Sequence, residues 1–145
     1  MNKAVKEAVN PGQEAPSPLG VYSHAVRVGD ILFISGQGCR DPKSGVERGL
    51  TLDAAGNILD YDIEAQTEGV LENLGVVLRS AGLDYQDLVD MTVFLADMND
   101  FARYNKVYAR YFQGLPVPPS RTTVQVAKLP GRNFIEIKAV AAFTR

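Results

Sequence analysis

Apolar and polar positions along the chain change period several times, and each change predicts an element. Residues 121–126 alternate with the period of two that a strand requires: Thr122, Val124 and Val126 point one way, Arg121, Thr123 and Gln125 the other. A Pro130-Gly131 break follows. From Asn133 to Phe143 the alternation resumes, with Ile135, Ile137, Ala139 and Ala141 on one face and Phe134, Glu136, Lys138 and Val140 opposite. Two β-branched strands around a Pro-Gly turn predict a hairpin. Val21–Arg27 and Ile31–Ser35, split by Gly29-Asp30, predict another. Gly36 and Gly38 close it, and glycines there let backbone approach a ligand or another chain.

Between the two hairpins the period becomes helical. Ile63, Thr67, Val70, Leu71, Leu74, Val77 and Leu78 form one stripe of a helix from about Asp60 to Ala81, with Asp60 or Asp62 as its cap and Gly82 as its end. Leu88–Ala96 is a further strand. Asp97–Phe112 is a second helix with an aromatic stripe of Phe101, Tyr104, Tyr108, Tyr111 and Phe112. Residues 1–18 are expected to be a loose arm, residues 19–145 one domain, and residues 39–59 an irregular loop with a turn at Asp53-Ala54-Ala55-Gly56-Asn57. The order is strand, strand, helix, strand, helix, strand, strand. Two helices cannot cover both faces of such a sheet, so an α+β layer with both helices on one face is expected. The other face would then carry Arg121, Thr123, Gln125, Glu136 and Lys138 among Phe134 and Val140. That mixture suits a ligand or another subunit, and a homo-oligomer with sites at its interfaces is predicted.

Composition narrows the chemistry. The chain has 145 residues, 46% of them hydrophobic and 22% charged, with a net charge of −2. Scattered cations argue against a nucleic-acid surface. No apolar run is long enough for a membrane span, and a single cysteine, Cys39, fits a reducing cytoplasm. One histidine and one cysteine make no common zinc site, and no glycine-rich phosphate loop is present, so no metal or nucleotide cofactor is expected. His24 lies in a strand-like run without a nucleophile elbow and is best read as structural. What remains is Arg121 with Glu136. A guanidinium can fork onto a substrate carboxylate, and a carboxylate can orient and deprotonate a water. Equally, the two can form a salt bridge across their hairpin.

At these residues the chain resembles the RidA (YjgF/YER057c/UK114) family of enamine/imine deaminases. The motifs are Gly20-Val21-Tyr22-Ser23-His24-Ala25, Phe33-Ile34-Ser35-Gly36-Gln37, Asp62-Ile63-Glu64-Ala65-Gln66-Thr67, Leu71-Glu72-Asn73-Leu74, Asn105 with Tyr108, Pro119-Ser120-Arg121 and Ile135-Glu136-Ile137. The resemblance implies a chorismate-mutase-like α+β unit assembled as a homotrimer with sites between subunits. It implies cofactor-free hydrolysis of an enamine or imine acid to ammonia and a keto acid. Arg121 would hold the substrate carboxylate and Glu136 the attacking water, with Tyr22, Ser35, Asn105 and Thr123 lining the cleft. Thr123 stands where many members of the archetypal subgroup have cysteine. Together with Asp90-Met91-Thr92-Val93, this looks closer to the 2-aminomuconate deaminases, whose product is 4-oxalocrotonate. A second carboxylate would call for a second cation, one of Arg40, Lys43, Arg48 or Arg132. The alternatives are a non-catalytic ligand-binding or regulatory trimer, and the ribonuclease or translation-inhibitor role attached to some relatives.

Overall fold

Asp62, one of the two caps expected from the sequence, begins the longer of the two α-helices. Its carboxylate accepts from the backbone N–H groups of Glu64 and Ala65, and α1 runs from Ile63 to Ser80. The apolar stripe read from the sequence is its buried face. The second helix starts later than expected, because Asp97 caps a short 3-10 turn, Met98–Asp100, and only then does α2 run from Phe101 to Phe112.

In the computed structural model, which describes residues 5–144, six strands form one mixed sheet in the spatial order β1-β2-β3-β8-β6-β7. They are β1 (Lys6–Val9), β2 (Ala25–Val28), β3 (Ile31–Gln37), β6 (Leu88–Leu95), β7 (Ser120–Gln125) and β8 (Ile135–Ala142); β4 (Leu50–Leu52) and β5 (Ile58–Tyr61) pair separately. Both helices lie on one face of the six-stranded sheet. Leu32, Ile34, Met91, Val93, Leu95, Ile135, Ile137, Ala139 and Ala141 point into the core beneath them. The α+β order expected from the sequence is present, with three added strands.

Four further expectations are corrected. The arm over residues 1–18 is not loose throughout: Lys6–Val9 pairs antiparallel with β2 as an edge strand. Residues 1–4 of that arm lie outside the described residues. Strand structure does not reach back to Val21; β2 begins at Ala25. The irregular loop contains the β4–β5 hairpin, whose turn is the predicted Asp53–Asn57 stretch, with the Asp53 carboxylate accepting from the N–H groups of Ala55 and Asn57. Tyr61 anchors this hairpin by stacking on Phe134 at 3.7 Å between ring centroids and donating its hydroxyl to Asp100 at 2.6 Å.

The largest correction concerns the C-terminal strands. β7 and β8 do not pair with each other. β6 lies between them, parallel to β7 and antiparallel to β8. The β6 register fixes the faces. Met91 is opposite Arg121 on one side and Ala139 on the other, and Val93 is opposite Thr123 and Ile137. Arg121, Thr123 and Gln125 therefore share the helix-covered face with Ala139 and Ile137. Glu136, three residues from Ala139, points to the opposite face.

That opposite face carries Glu136, Lys138, Val140, Phe94, Thr92, Thr122 and Val124, with Val26 and Phe33 continuing the row of Val140 across β2 and β3. No helix covers it. Phe33 is 47% exposed and Val124 38%.

Candidate active site

Arg121 and Glu136 belong to two separate clusters on opposite sides of the sheet. Among the described residues neither has an ion-pair partner, so the salt bridge across a hairpin does not form.

Arg121 lies on the aromatic stripe of α2. Its guanidinium carbon is 4.5 Å from the ring centroid of Tyr108, 5.5 Å from Tyr104 and 5.7 Å from Phe101. Nη1 donates to Asn105 Oδ1 at 2.7 Å. Such a bed fixes the plane of a guanidinium through cation–π contact while leaving its other donors free for an anion. Thr123, one step along the same face, shares a 2.7 Å hydrogen bond with the Tyr104 hydroxyl. Gln125 accepts from the Met98 N–H at 2.7 Å. A polar row facing a helix is accommodated because each side chain finds a partner on or before α2. Arg121, Asn105 and Thr123, all expected at the site, are thus brought together. Tyr104 and Tyr108, part of the aromatic stripe read from the sequence, are buried and are also the platform for Arg121; the three-residue spacing of Asn105 and Tyr108 is the local signal for it.

Glu136 lines a cleft of about 350 Å³ with Tyr22, Gln37, Arg40 and Asn133, walled by residues 16–20. Its carboxylate fits because residue 36 is glycine. A β-bulge between Ile34 and Gln37 turns Gly36 toward Glu136, and a Cβ there would collide with the carboxylate. Burial holds the Glu136 carboxyl above its ordinary pKa. A half-buried, uncompensated carboxylate of this kind is suited to accept a proton from water.

The floor of the cleft is fastened by amide side chains. Asn133 Oδ1 accepts from the Cys39 N–H at 2.9 Å, and its Nδ2 donates to the Pro130 carbonyl at 2.9 Å. Asn73 on α1 donates to the carbonyls of Gly38 and Arg40, each at 2.9 Å. Buried Gln66 donates to the carbonyls of Arg48 and Arg132 and accepts from the Phe134 N–H at 2.7 Å. None of these amides had been singled out as part of the cleft, because an amide's role depends on tertiary neighbours that spacing does not reveal.

Tyr22 is half exposed on the cleft rim, its hydroxyl accepting from the Leu19 N–H at 3.1 Å. Ser35 does not line the cleft. Its hydroxyl donates to the Ser23 carbonyl at 2.7 Å and its N–H to the His24 carbonyl at 3.0 Å, which tethers the segment that presents Tyr22. His24 is buried, with Nε2 2.8 Å from the Pro16 carbonyl, a contact that holds the cleft wall in place.

Of the four candidate second cations, Arg40 alone lines the cleft. Arg48 is paired with Glu72 at 2.7 Å and Arg132 with Glu47 at 3.2 Å, while Lys43 is exposed on a turn capped by Asp41.

The chain is similar to known proteins along nearly its whole length. The family described as Endoribonuclease L-PSP matches residues 12–143. A 2-iminobutanoate/2-iminopropanoate deaminase of Mus musculus is 40% identical over 128 residues, 88% of this chain and 85% of that protein. A RutC family protein of Pyrococcus horikoshii is 43% identical, covering 89% of this chain and 92% of its own. The crystal structure of E. coli TdcF with bound serine superposes with a TM-score of 0.81 at 34% identity, over 95% of this chain and 99% of that one. With the motifs, the strand order and these matches in agreement, the chain belongs to the Endoribonuclease L-PSP family, the RidA (YjgF/YER057c/UK114) family of enamine/imine deaminases.

Proposed function

We propose that this protein is a cofactor-free hydrolytic deaminase of enamine and imine acids, working at sites shared between the subunits of a cytoplasmic homotrimer. The observation that carries the reading is the separation of Arg121 and Glu136, each without an ion-pair partner among the described residues, on the two faces of one sheet. Arg121 with Asn105 and Thr123 supplies an anion site. Glu136 with Tyr22 supplies a cleft with a proton acceptor. One chain cannot bring them together, whereas a symmetric closed ring can set the Arg121 cluster of one subunit against the Glu136 cleft of the next. The uncovered face, with Val26, Phe33, Phe94, Val124 and Val140, supplies apolar surface for that assembly.

The chemistry follows from the substrate's own reactivity. An enamine protonated at carbon by solvent becomes an iminium ion, the protonated imine, whose carbon is already electrophilic. Arg121 binds the adjacent carboxylate. Glu136 accepts a proton as water adds to the imine carbon, giving a carbinolamine. Return of that proton to nitrogen makes ammonia the leaving group, and as the C–N bond breaks the hydroxyl proton passes back to Glu136, leaving the ketone. Within this class the 2-aminomuconate type, giving 4-oxalocrotonate, is the substrate to test first, since Thr123 replaces the archetypal cysteine.

The test is ammonia release from freshly generated imine acids, followed by subunit mixing. Arg121→Ala and Glu136→Ala should each abolish turnover. Refolding the two variants together should restore about a quarter of the wild-type rate, because in a closed ring that share of interfaces receives both intact residues. Tight carboxylate binding by the wild type without turnover would replace the deaminase reading with a ligand-binding one. Mixing without recovery would place both residues' function within one subunit.

A further inference from the structure

Arg40 lines the Glu136 cleft, yet the reaction above gives it no part. It is half-buried in the wall of the Glu136 cleft, and among the described residues no carboxylate lies within ion-pairing distance of it. Its neighbours in sequence and space differ in this respect, since Arg48 and Arg132 are each spent on a glutamate. Nor is Arg40 the counter-ion of Glu136. Among the described residues the two form no ion pair, and burial raises the pKa of the Glu136 carboxyl. A guanidinium and a carboxylate thus face one cleft without neutralising each other.

Arg40 is also positioned. Its Nη2 donates to the Ser17 carbonyl at 2.5 Å, tying the head group to the cleft wall. Its backbone is fixed by the Asn73 amide on its carbonyl at 2.9 Å and by a β-bridge to Glu47. A guanidinium held by one donor retains most of its planar fork for an incoming anion. Leaving a half-buried cation without a partner has an electrostatic cost that an anionic ligand removes.

We propose that Arg40 is a specificity-determining residue, binding an anionic group at the substrate end remote from the reacting carbon and so selecting dicarboxylic over monocarboxylic enamine acids. The proposal rests on the deaminase reading of the Glu136 cleft.

Muconate and sorbate isolate the effect, since they share a six-carbon diene and differ in carrying a carboxylate or a methyl group at the far end. Calorimetric titration of the assembled wild-type protein should show muconate binding about tenfold or more tighter than sorbate, as a charge-assisted fork requires. Arg40→Met should bring the ratio close to one. Arg40→Lys, which keeps charge but loses the fork, should restore part of it, and added salt should erode it. Equal affinities in the wild type overturn the proposal, even if no variant folds. An unchanged ratio in folded Arg40→Met also overturns it. Ammonia release from 2-iminobutanoate by the wild type separates the two levels. Turnover without a muconate preference refutes the role of Arg40 and keeps the deaminase. An Arg40-dependent preference without turnover of any imine acid keeps Arg40's selectivity and refutes the deaminase.

Discussion

Gly36→Ala offers a test of Glu136 that leaves the carboxylate itself in place. A Cβ at residue 36 would overlap Oε1 of Glu136 and stand 3.0 Å from its carboxyl carbon and 3.3 Å from Cγ. Restoring ordinary contact requires the carboxylate to withdraw by about 1 Å. The backbone at Gly36 is not left-handed, so alanine meets no conformational penalty there. The whole effect therefore falls on the Glu136 side chain. An off-rotamer glutamate costs about 0.5–1.5 kcal/mol. The loss of glycine freedom in the unfolded chain offsets roughly 0.4–1 kcal/mol of that. Net stability should change by less than about 1 kcal/mol, a shift of no more than 2–4 °C in Tm. Catalysis is less forgiving, since a misplacement of about 1 Å can lower kcat around a hundredfold. Ammonia release from an imine acid, measured beside a thermal melt, separates the two. In a Glu136→Ala background the same substitution should cost nothing further, because the group it displaces is gone. A folded Gly36→Ala protein that retains its rate within about twofold would show that the position of Glu136 does not govern turnover.

Three other outcomes are expected. Because burial raises the Glu136 pKa, the folded state holds that proton to higher pH than the unfolded state, so stability falls as pH rises from the unfolded value through the folded one. Denaturant titrations should show Glu136→Gln gaining on the wild type across this window, and the acid limb of kcat/KM should lie above the ordinary glutamate value near ~4.3; a pH-independent stability difference would contradict the shift. Burial pushes the Cys39 thiol up to about 11, so a disulfide reagent at pH 8 should label the native protein only at the rate of opening, and immediate labelling would mean that the cleft floor is open. Tyr61→Phe keeps the stack on Phe134 but loses the hydroxyl bond to Asp100, which should lower Tm by 2–4 °C for a loss of about 1 kcal/mol. Tyr61→Ala should fall further, and equal melting of the two variants would mean that the stack contributes nothing.

The sequence made α1 legible because Asp62 and a regular stripe are local signals, and they act within one turn of the residues that respond to them. Alternation also identified the inward side of β8 correctly: Ile135, Ile137, Ala139 and Ala141 are all core. Alternation says which residues of one strand share a face. It does not say which strand lies alongside. Proximity in sequence suggested that 121–126 pairs with 135–142, whereas both pair with β6. That error placed Arg121 and Glu136 on one side. The correct faces depend on the Met91–Arg121 register, a contact across 30 positions that no local pattern encodes. Arg40 was named only as one of four cations, because what distinguishes it is the absence of the glutamates that hold Arg48 and Arg132.

The placement of β8 has a consequence for synthesis. It is the last strand along the chain among the described residues, yet it sits between β3 and β6 in the middle of the sheet. A nascent chain that has not yet released residues 135–142 holds two incomplete halves, β1-β2-β3 and β6-β7, each with an unpaired inner edge. Exposed strand edges of this kind are templates for pairing with other chains. The sheet can therefore close only after residues 135–142 have emerged, and a ribosome stalled shortly before residue 135 would display two sticky edges rather than a closed sheet.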